Sequence, residues 1–189
     1  MLTGIIQYSH ELLKKSLEKG DTVIDATCGN GHDTLFLCQT VGHDGHVYAF
    51  DIQEQAINNS QTLIEEHGYS NVTFIQDSHA DIDQYIPEEL KGELGGAIFN
   101  LGYLPKGDKS IITKGESTIQ ALKTILAYLK KQRLVVLVVY PGHEGGETEK
   151  DMLLEYVMDL DHKDFTVLRY EFINIKTKPP FIIAIEKKQ

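Results

Sequence analysis

The run Val23-Ile24-Asp25-Ala26-Thr27-Cys28-Gly29-Asn30-Gly31-His32-Asp33-Thr34 constrains this chain more than any other. It reads as a strand ending near an acid, a turn with two glycines, and the opening of a helix. Glycine permits backbone conformations that other residues resist and lets a ligand approach the main chain closely. The rest of the chain continues the alternation. Residues 22–27, 46–51, 72–77, 95–100 and 133–140 are short β-rich runs. Several are apolar on both faces, as expected where helices cover both sides of a parallel sheet. Helical spacing occupies 34–41, 54–66 and 117–131, the last with Ile119, Leu122, Ile125, Leu126 and Leu129 on one face. A further helix over 8–18, closed by Gly20, precedes the first strand.

The last third breaks the pattern. After a helix around 152–160, the strand-like runs 165–173 and 181–186 are separated only by a loop with Asn174, Lys176, Lys178 and the Pro179-Pro180 pair. Two strands without a helix between them predict an antiparallel hairpin at one sheet edge. The expected fold is α/β, a doubly wound, mostly parallel sheet of about seven strands ending in that hairpin. With 189 residues, no repeat and no linker, residues 1–189 read as one domain.

Residues 1–6 show no basic segment leading into an apolar one, and the longest apolar run, 134–140, is far too short to span a bilayer. Cys28 and Cys38 then read as free thiols, in a soluble cytoplasmic protein with no membrane partner.

A second acid, Asp51, ends the next strand twenty residues after Gly31. A carboxylate there can accept hydrogen bonds from both hydroxyls of a ribose. Two cofactors use such an arrangement. A dinucleotide site needs a third glycine where this chain has Thr34, and gives no reason for an acid at the first strand end. S-adenosylmethionine (SAM) carries an amino-acid end, and Asp25 suits its ammonium directly or through water. The pattern Asp25-x-Thr27-x-Gly29-x-Gly31 resembles the first motif of class I methyltransferases, with Thr27 at the usual first glycine. The expected cofactor set is Asp25, Thr27, Gly29, Asn30, Gly31, Asp33, Thr34, Asp51, Gln53, Ser78, His79 and Asn100. The lesser reading of Asp25 and Asp51 is as helix-cap or turn acids. Ser78 and His79 fall where methyltransferases hold adenine, but Ser78 also suits a turn, and His79 is read equally as a ligand contact or a structural hydrogen-bonder.

Ala97-Ile98-Phe99 runs into Asn100-Leu101-Gly102-Tyr103. Amino-group methyltransferases place [Asp/Asn]-Pro-Pro-[Tyr/Phe] here, the Asn holding the acceptor nitrogen and the ring stacking on a base. Asn100 and Tyr103 keep that spacing without the prolines. Acceptors aimed at an N–H direct its lone pair, which is catalysis by positioning. Asp108 reads as a proton acceptor or as a turn aspartate. Residues 140–147 (Tyr140-Pro141-Gly142-His143-Glu144-Gly145-Gly146-Glu147) lack the second histidine of a zinc helix, and their glycines argue for a loop over the site and for no metal. His143 there reads as a substrate contact, a proton-transfer group or a structural residue.

Together DATCGNGHDT, AFDIQ, DSHADI, FNLGYLPKGDK, YPGHEGG and the late KPP resemble a bacterial family of SAM-dependent methyltransferases. That family was once labelled rRNA methylases and is now assigned to 5-aminomethyl-2-thiouridine at the tRNA wobble position. The resemblance implies a Rossmann-like class I methyltransferase fold, SAM as cofactor, and the tRNA anticodon loop as partner. The implied product is 5-methylaminomethyl-(2-thio)uridine at position 34. Family members more often have Gly at Lys106 and amides near Ile175-Lys176. An aliphatic amine attacks only when neutral, which nominates Asn100, Tyr103, Asp108 and His143 for the chemistry. The alternatives are a methyltransferase for ribosomal RNA or a small amine, a nicotinamide oxidoreductase, and a silent SAM-binding module.

The formal charge of −10, from 18 bases and 28 acids, argues against gripping nucleic acid by bulk charge. Its distribution argues otherwise. Residues 101–133 carry seven bases against Asp108 and Glu116, and residues 169–189 carry five against Glu171 and Glu186. Lys106, Lys109, Lys176 and Lys178 are the expected phosphate contacts, with Tyr103 against a base. Lys123 and Lys130 read as solvated charges on a helix. A homodimer sharing the RNA is a further expectation.

Overall fold

The structure, a computed structural model, describes residues 1–102 and 113–189. Its strands are β1 (Thr22–Asp25), β2 (His46–Asp51), β3 (Val72–Gln76), β4 (Leu94–Leu101), β5 (Leu129–Val139), β6 (Phe165–Tyr170) and β7 (Phe181–Lys187). Its helices are α1 (Ile5–Ser16), α2 (His32–Val41), α3 (Glu54–Glu66), α4 (Gly115–Tyr128) and α5 (Gly146–Met158). The strands form one sheet in the order β3-β2-β1-β4-β5-β7-β6. β1 to β5 pair in parallel, and β7 runs antiparallel to both β5 and β6. The mostly parallel sheet and its antiparallel C-terminal pair are those expected, with β7 inserted between β5 and β6.

Successive strand side chains alternate between two apolar layers. Val23, Ile98, Val136 and Ile182 pack with Leu13 of α1, Leu37 of α2 and Ile64 of α3. Ile24, Phe99, Leu137 and Ile183 pack on the other face with Leu122 and Ile125 of α4 and Leu153 of α5. Both faces of the central strands are dry, which explains their continuous apolar runs. Each such aliphatic side chain contributes about 1.5–3 kcal/mol by leaving water. The strand order turns between β1 and β4, and in open sheets of this kind ligands sit outside the carboxyl ends of the strands at that switch.

Several boundaries differ from the sequence expectation. α1 covers Ile5–Ser16 rather than 8–18, and β6 stops at Tyr170 rather than 173. Two further shifts bear on the charge map and the site. The helix expected to Lys131 ends at Tyr128, so Lys130 and Lys131 belong to β5. Gln132 takes φ 61° close to a register shift between β4 and β5, which places polar residues at the strand's start. Arg133, 8% exposed, caps α1 through the Ser16 carbonyl and pairs with Glu18 at 2.8 Å and Asp21 at 3.5 Å. These bases therefore lie at the end of the sheet away from the strand carboxyl ends. The second correction concerns α5, which starts at Gly146 although the glycine pair argued for a loop. Gly145 turns at φ 78° as its N-cap, and a Cβ on Gly146 would stand 2.6 Å from the Tyr140 carbonyl. Close packing thus requires glycine inside this helix. Among the described residues no helix is long and apolar enough to cross a membrane.

Candidate active site

β1 delivers the chain into the glycine turn, and the turn is held from both sides. Gly31 caps α2 at φ 87°, where a Cβ would come within 2.9 Å of the Ser60 backbone. Ser60 Oγ donates to the Gly29 carbonyl at 2.9 Å, fastening the turn to α3. The Gly29 N–H donates to Asp51 Oδ2 at 3.0 Å, and the Gln53 N–H donates to Asp51 Oδ1 at 3.0 Å. One carboxylate at the end of β2 thereby ties two loops together. Each of its oxygens keeps accepting capacity for a further donor. Burial raises the Asp51 pKa.

A cavity of about 980 Å³ opens over the carboxyl ends of β1 to β5, at the upper end of the usual range for ligand sites. Of the expected site residues, Thr27, Gly29, Asn30, Asp33, Asp51, Gln53, Ser78, His79, Asn100, His143 and Lys178 line it. Asp25, Gly31 and Thr34 do not. Lys176 is exposed and off the cavity wall. Tyr103, Lys106, Asp108 and Lys109 lie outside the described residues. Gly102 and Thr113, which flank that segment, both line the cavity and are joined by a 3.1 Å backbone hydrogen bond.

Asp25, expected to serve the SAM ammonium directly or through water, stands behind the cavity wall. Asp25 is fully buried beneath the turn, accepting from Thr34 Oγ1 at 2.6 Å and from the Thr27 N–H at 3.2 Å. Desolvation, followed by the nearby charge of Asp33, pushes its pKa from 3.8 to about 8. Below 3.8 both folded and unfolded chains hold this proton. Between 3.8 and about 8 the unfolded chain releases it while the fold retains it, so this group lowers stability as pH rises across that window. Asp25→Asn, which can keep both hydrogen bonds, is expected to raise Tm at pH 8 by roughly 4–8 °C, equivalent to about 2 kcal/mol. The gain should vanish near pH 4; an equal gain at both pH values in a thermal melt contradicts the assignment.

Thr27 explains the departure at the usual first glycine: its Oγ1 accepts from the Asn100 N–H at 2.7 Å, locking the end of β4 to the turn. The Asn100 side chain faces a polar group that the motifs did not reveal. Asn100 Nδ2 donates to Asp33 Oδ2 at 3.2 Å, and His10 Nε2 meets Asp33 Oδ1 at 2.6 Å. His10 comes from α1, lies flat on Phe36 with ring centroids 3.9 Å apart, and lines the cavity with Ile6. Tyr140, after β5, also lines it and hydrogen-bonds to the Asn100 side chain. His143 Nδ1 meets the Glu144 carbonyl at 2.8 Å, and the nearby Glu149 receives the hydroxyls of Thr113 and Thr118 at 2.9 and 3.0 Å.

At the other end of the cavity, His79 Nδ1 must be the protonated nitrogen, because it meets the Ala26 carbonyl at 3.0 Å. Burial lowers the His79 pKa, so the ring is neutral and Nε2 is an acceptor. Nε2 is buried and has no protein partner among the described residues. An orphaned acceptor in the cavity wall suits a donor such as the amino group of an adenine. Asp77, unassigned by the motifs, lines this end too, holding the Ser78 N–H at 2.7 Å and the Tyr85 hydroxyl. Among the described residues no group of three His, Cys, Asp or Glu side chains is placed to hold a metal.

Comparison with known proteins agrees with this architecture. The family model described as "Putative rRNA methylase" matches residues 47–186. The chain belongs to this family. A second model, of protein-L-isoaspartate(D-aspartate) O-methyltransferase, matches residues 4–87. Over 191 residues the methyltransferase is 36% identical to the Arabidopsis thaliana chloroplastic tRNA (mnm(5)s(2)U34)-methyltransferase, covering 96% of this chain and 69% of that protein. A Clostridium thermocellum structure described in the family's own words is 41% identical, with TM-score 0.94 and 99% of each chain covered. A Streptococcus mutans structure, described as a putative methyltransferase in complex with S-adenosylhomocysteine (SAH), is 40% identical, with TM-score 0.89 and 99% coverage of both chains.

The methyltransferase uses SAM. The residues present fit it: Asp51 would hold the ribose, His79 and Asp77 the adenine end, and the Gly29–Gly31 turn the amino-acid end. When bound, SAM supplies a methyl group on a positively charged sulfur, which an acceptor lone pair captures while the S–C electron pair stays on sulfur.

Proposed function

We propose that the chain methylates the amine nitrogen of 5-aminomethyl-(2-thio)uridine at wobble position 34 of tRNA, giving 5-methylaminomethyl-(2-thio)uridine. The observation that carries this reading is the 36% identity, over 96% of the chain, to the Arabidopsis tRNA enzyme. The acceptor end of the cavity supports it. Asn100 stands at the end of β4 with Asp33, His10, Tyr140 and His143 around it, so an amine there meets hydrogen-bond acceptors rather than an apolar wall. The Asn100 carboxamide, held by these neighbours, orients the nitrogen and accepts from its N–H, and the proton shed after transfer passes to water at the open mouth.

The proposal places the anticodon loop over the same mouth. Lys178 is on the cavity wall, exposed, 3.5 Å from Glu147, and Lys176 is exposed nearby in the chain. Replacing both with alanine is expected to weaken RNA binding and to flatten the plot of log K against log salt by about 1.4, two phosphate contacts on a single strand. SAH affinity should not change. An unchanged salt slope removes these lysines from the phosphate contacts.

The family description names ribosomal RNA, which gives the second reading. Purified protein with labelled SAM is to be offered tRNA bearing 5-aminomethyl-(2-thio)uridine, the same tRNA with an unmodified wobble uridine, and ribosomal RNA. The proposal predicts transfer to the first alone; transfer to ribosomal RNA alone favours the second reading.

A further inference from the structure

We infer that Asp33 and His10 form a positioning pair that fixes which atom Asn100 offers to the acceptor amine. This rests on the proposed reading that an amine is the acceptor. A carboxamide is nearly symmetric in shape but not in chemistry: one arm donates and the other accepts. A carboxylate accepts only, so the 3.2 Å contact with Asp33 Oδ2 commits Nδ2 of Asn100 to Asp33. Oδ1 then becomes the Asn100 atom able to receive an incoming N–H. If the carboxamide turned over, two N–H donors would confront the amine, and the lone pair would be drawn toward them rather than aimed at the methyl group.

Asp33 is itself held. Its Oδ1 meets His10 Nε2 at 2.6 Å, and its side chain is only 10% exposed. The His10 ring has little freedom, lying parallel to Phe36 at 3.9 Å with a 3° interplanar angle. The titratable groups facing this pair are Asp25, buried beneath it, and the Tyr140 hydroxyl, which hydrogen-bonds to the same Asn100 carboxamide. Thus α1, which lies ahead of the glycine turn, reaches the acceptor end through one histidine. The N–H of Asn100 is meanwhile pinned to Thr27. Backbone and side chain of this residue are each fixed by a different element, the backbone by the turn and the carboxamide by α1 and α2 together.

The test is a polarity swap. In Asp33→Asn the introduced carboxamide can donate, and Asn100 is free to turn over. The expected kcat for tRNA methylation falls about 10- to 100-fold, as for loss of one hydrogen bond to a charged group. KM for tRNA and Kd for SAH should stay within about threefold of wild type by the same reasoning. The double variant D33N/N100D restores the bond in reverse: the carboxamide introduced on α2 donates to the carboxylate introduced at the end of β4, which again presents an oxygen to the amine. It is expected to recover at least about tenfold in kcat over D33N. His10→Gln, which still donates an N–H to Asp33, should stay within about threefold of wild type, and His10→Leu should fall below it. The proposal is overturned by wild-type kcat in D33N, by a double variant as slow as D33N, or by loss of SAH binding in D33N, which would place Asp33 in the cofactor site. Wild-type protein is the internal control: if it does not methylate the tRNA, the acceptor reading fails and this proposal with it. Normal wild-type turnover with an unimpaired D33N overturns this proposal alone.

Discussion

Asp51→Ala is expected to raise the Kd for SAH about a hundredfold or more, about 3 kcal/mol, measured by calorimetry. Hydrogen bonds to a charged group contribute about 1.5–3 kcal/mol each, and a ribose offers two hydroxyl donors to this carboxylate. The loss has a second source. Asp51 also receives the Gly29 and Gln53 N–H groups, so truncation leaves two donors unsatisfied and loosens the turn assigned to the amino-acid end. Because burial raises the Asp51 pKa, SAH affinity should decline on acidification at a higher pH than an ordinary aspartate dictates. A thermal melt separates the two sources, since loosening lowers Tm while ribose contacts do not affect the unliganded protein. Wild-type affinity in a folded Asp51→Ala protein would refute the ribose assignment.

The second large effect is expected at Asn100. Asn100→Ala removes the side chain proposed to meet the acceptor while leaving the backbone N–H free to bond Thr27. Misplacing a reacting group by about 1 Å costs on the order of 10²-fold, so kcat should fall about a hundredfold or more. SAH affinity should fall by less than about tenfold, because the residues assigned to the ribose and adenine follow from the ends of β2 and β3 and not from β4. An equal loss in both quantities would make Asn100 a cofactor residue instead. An unchanged kcat would remove it from the chemistry.

Much of this site was legible because its residues stand at the ends of strands. β2 and α3 have the boundaries that the sequence predicts, and Asp51 and Asn100 follow from counting to a strand end. Asp25 follows the same rule, yet chemistry sends it elsewhere. A short acid directly before a tight turn is captured by the turn's own N–H and by Thr34, and burial then neutralises it. His10 carried no motif because it comes from a helix ahead of the first strand. The signal that could have found it is its spacing: Ile6 and His10 are four apart, on the stripe beside the buried Ile5, Ser9 and Leu13. The starts of β5 and α5 were obscured for local reasons. Lysines in β5 lie outside its buried stretch, and Gly146 serves close packing where glycine ordinarily weakens a helix.

The charge distribution is likewise modified by the structure. Lys130, Lys131 and Arg133 belong to the start of β5, and Arg133 is spent on Ser16, Glu18 and Asp21. Of the described bases in the two positive stretches, Lys178 is the one on the cavity wall.

Mass spectrometry of tRNA nucleosides from cells with and without the gene tests the proposed reaction most directly. The account predicts that deletion abolishes 5-methylaminomethyl-(2-thio)uridine and accumulates its 5-aminomethyl precursor, with the wild-type gene, but not Asn100→Ala, restoring the product. An unchanged nucleoside profile in the deletion strain would contradict it.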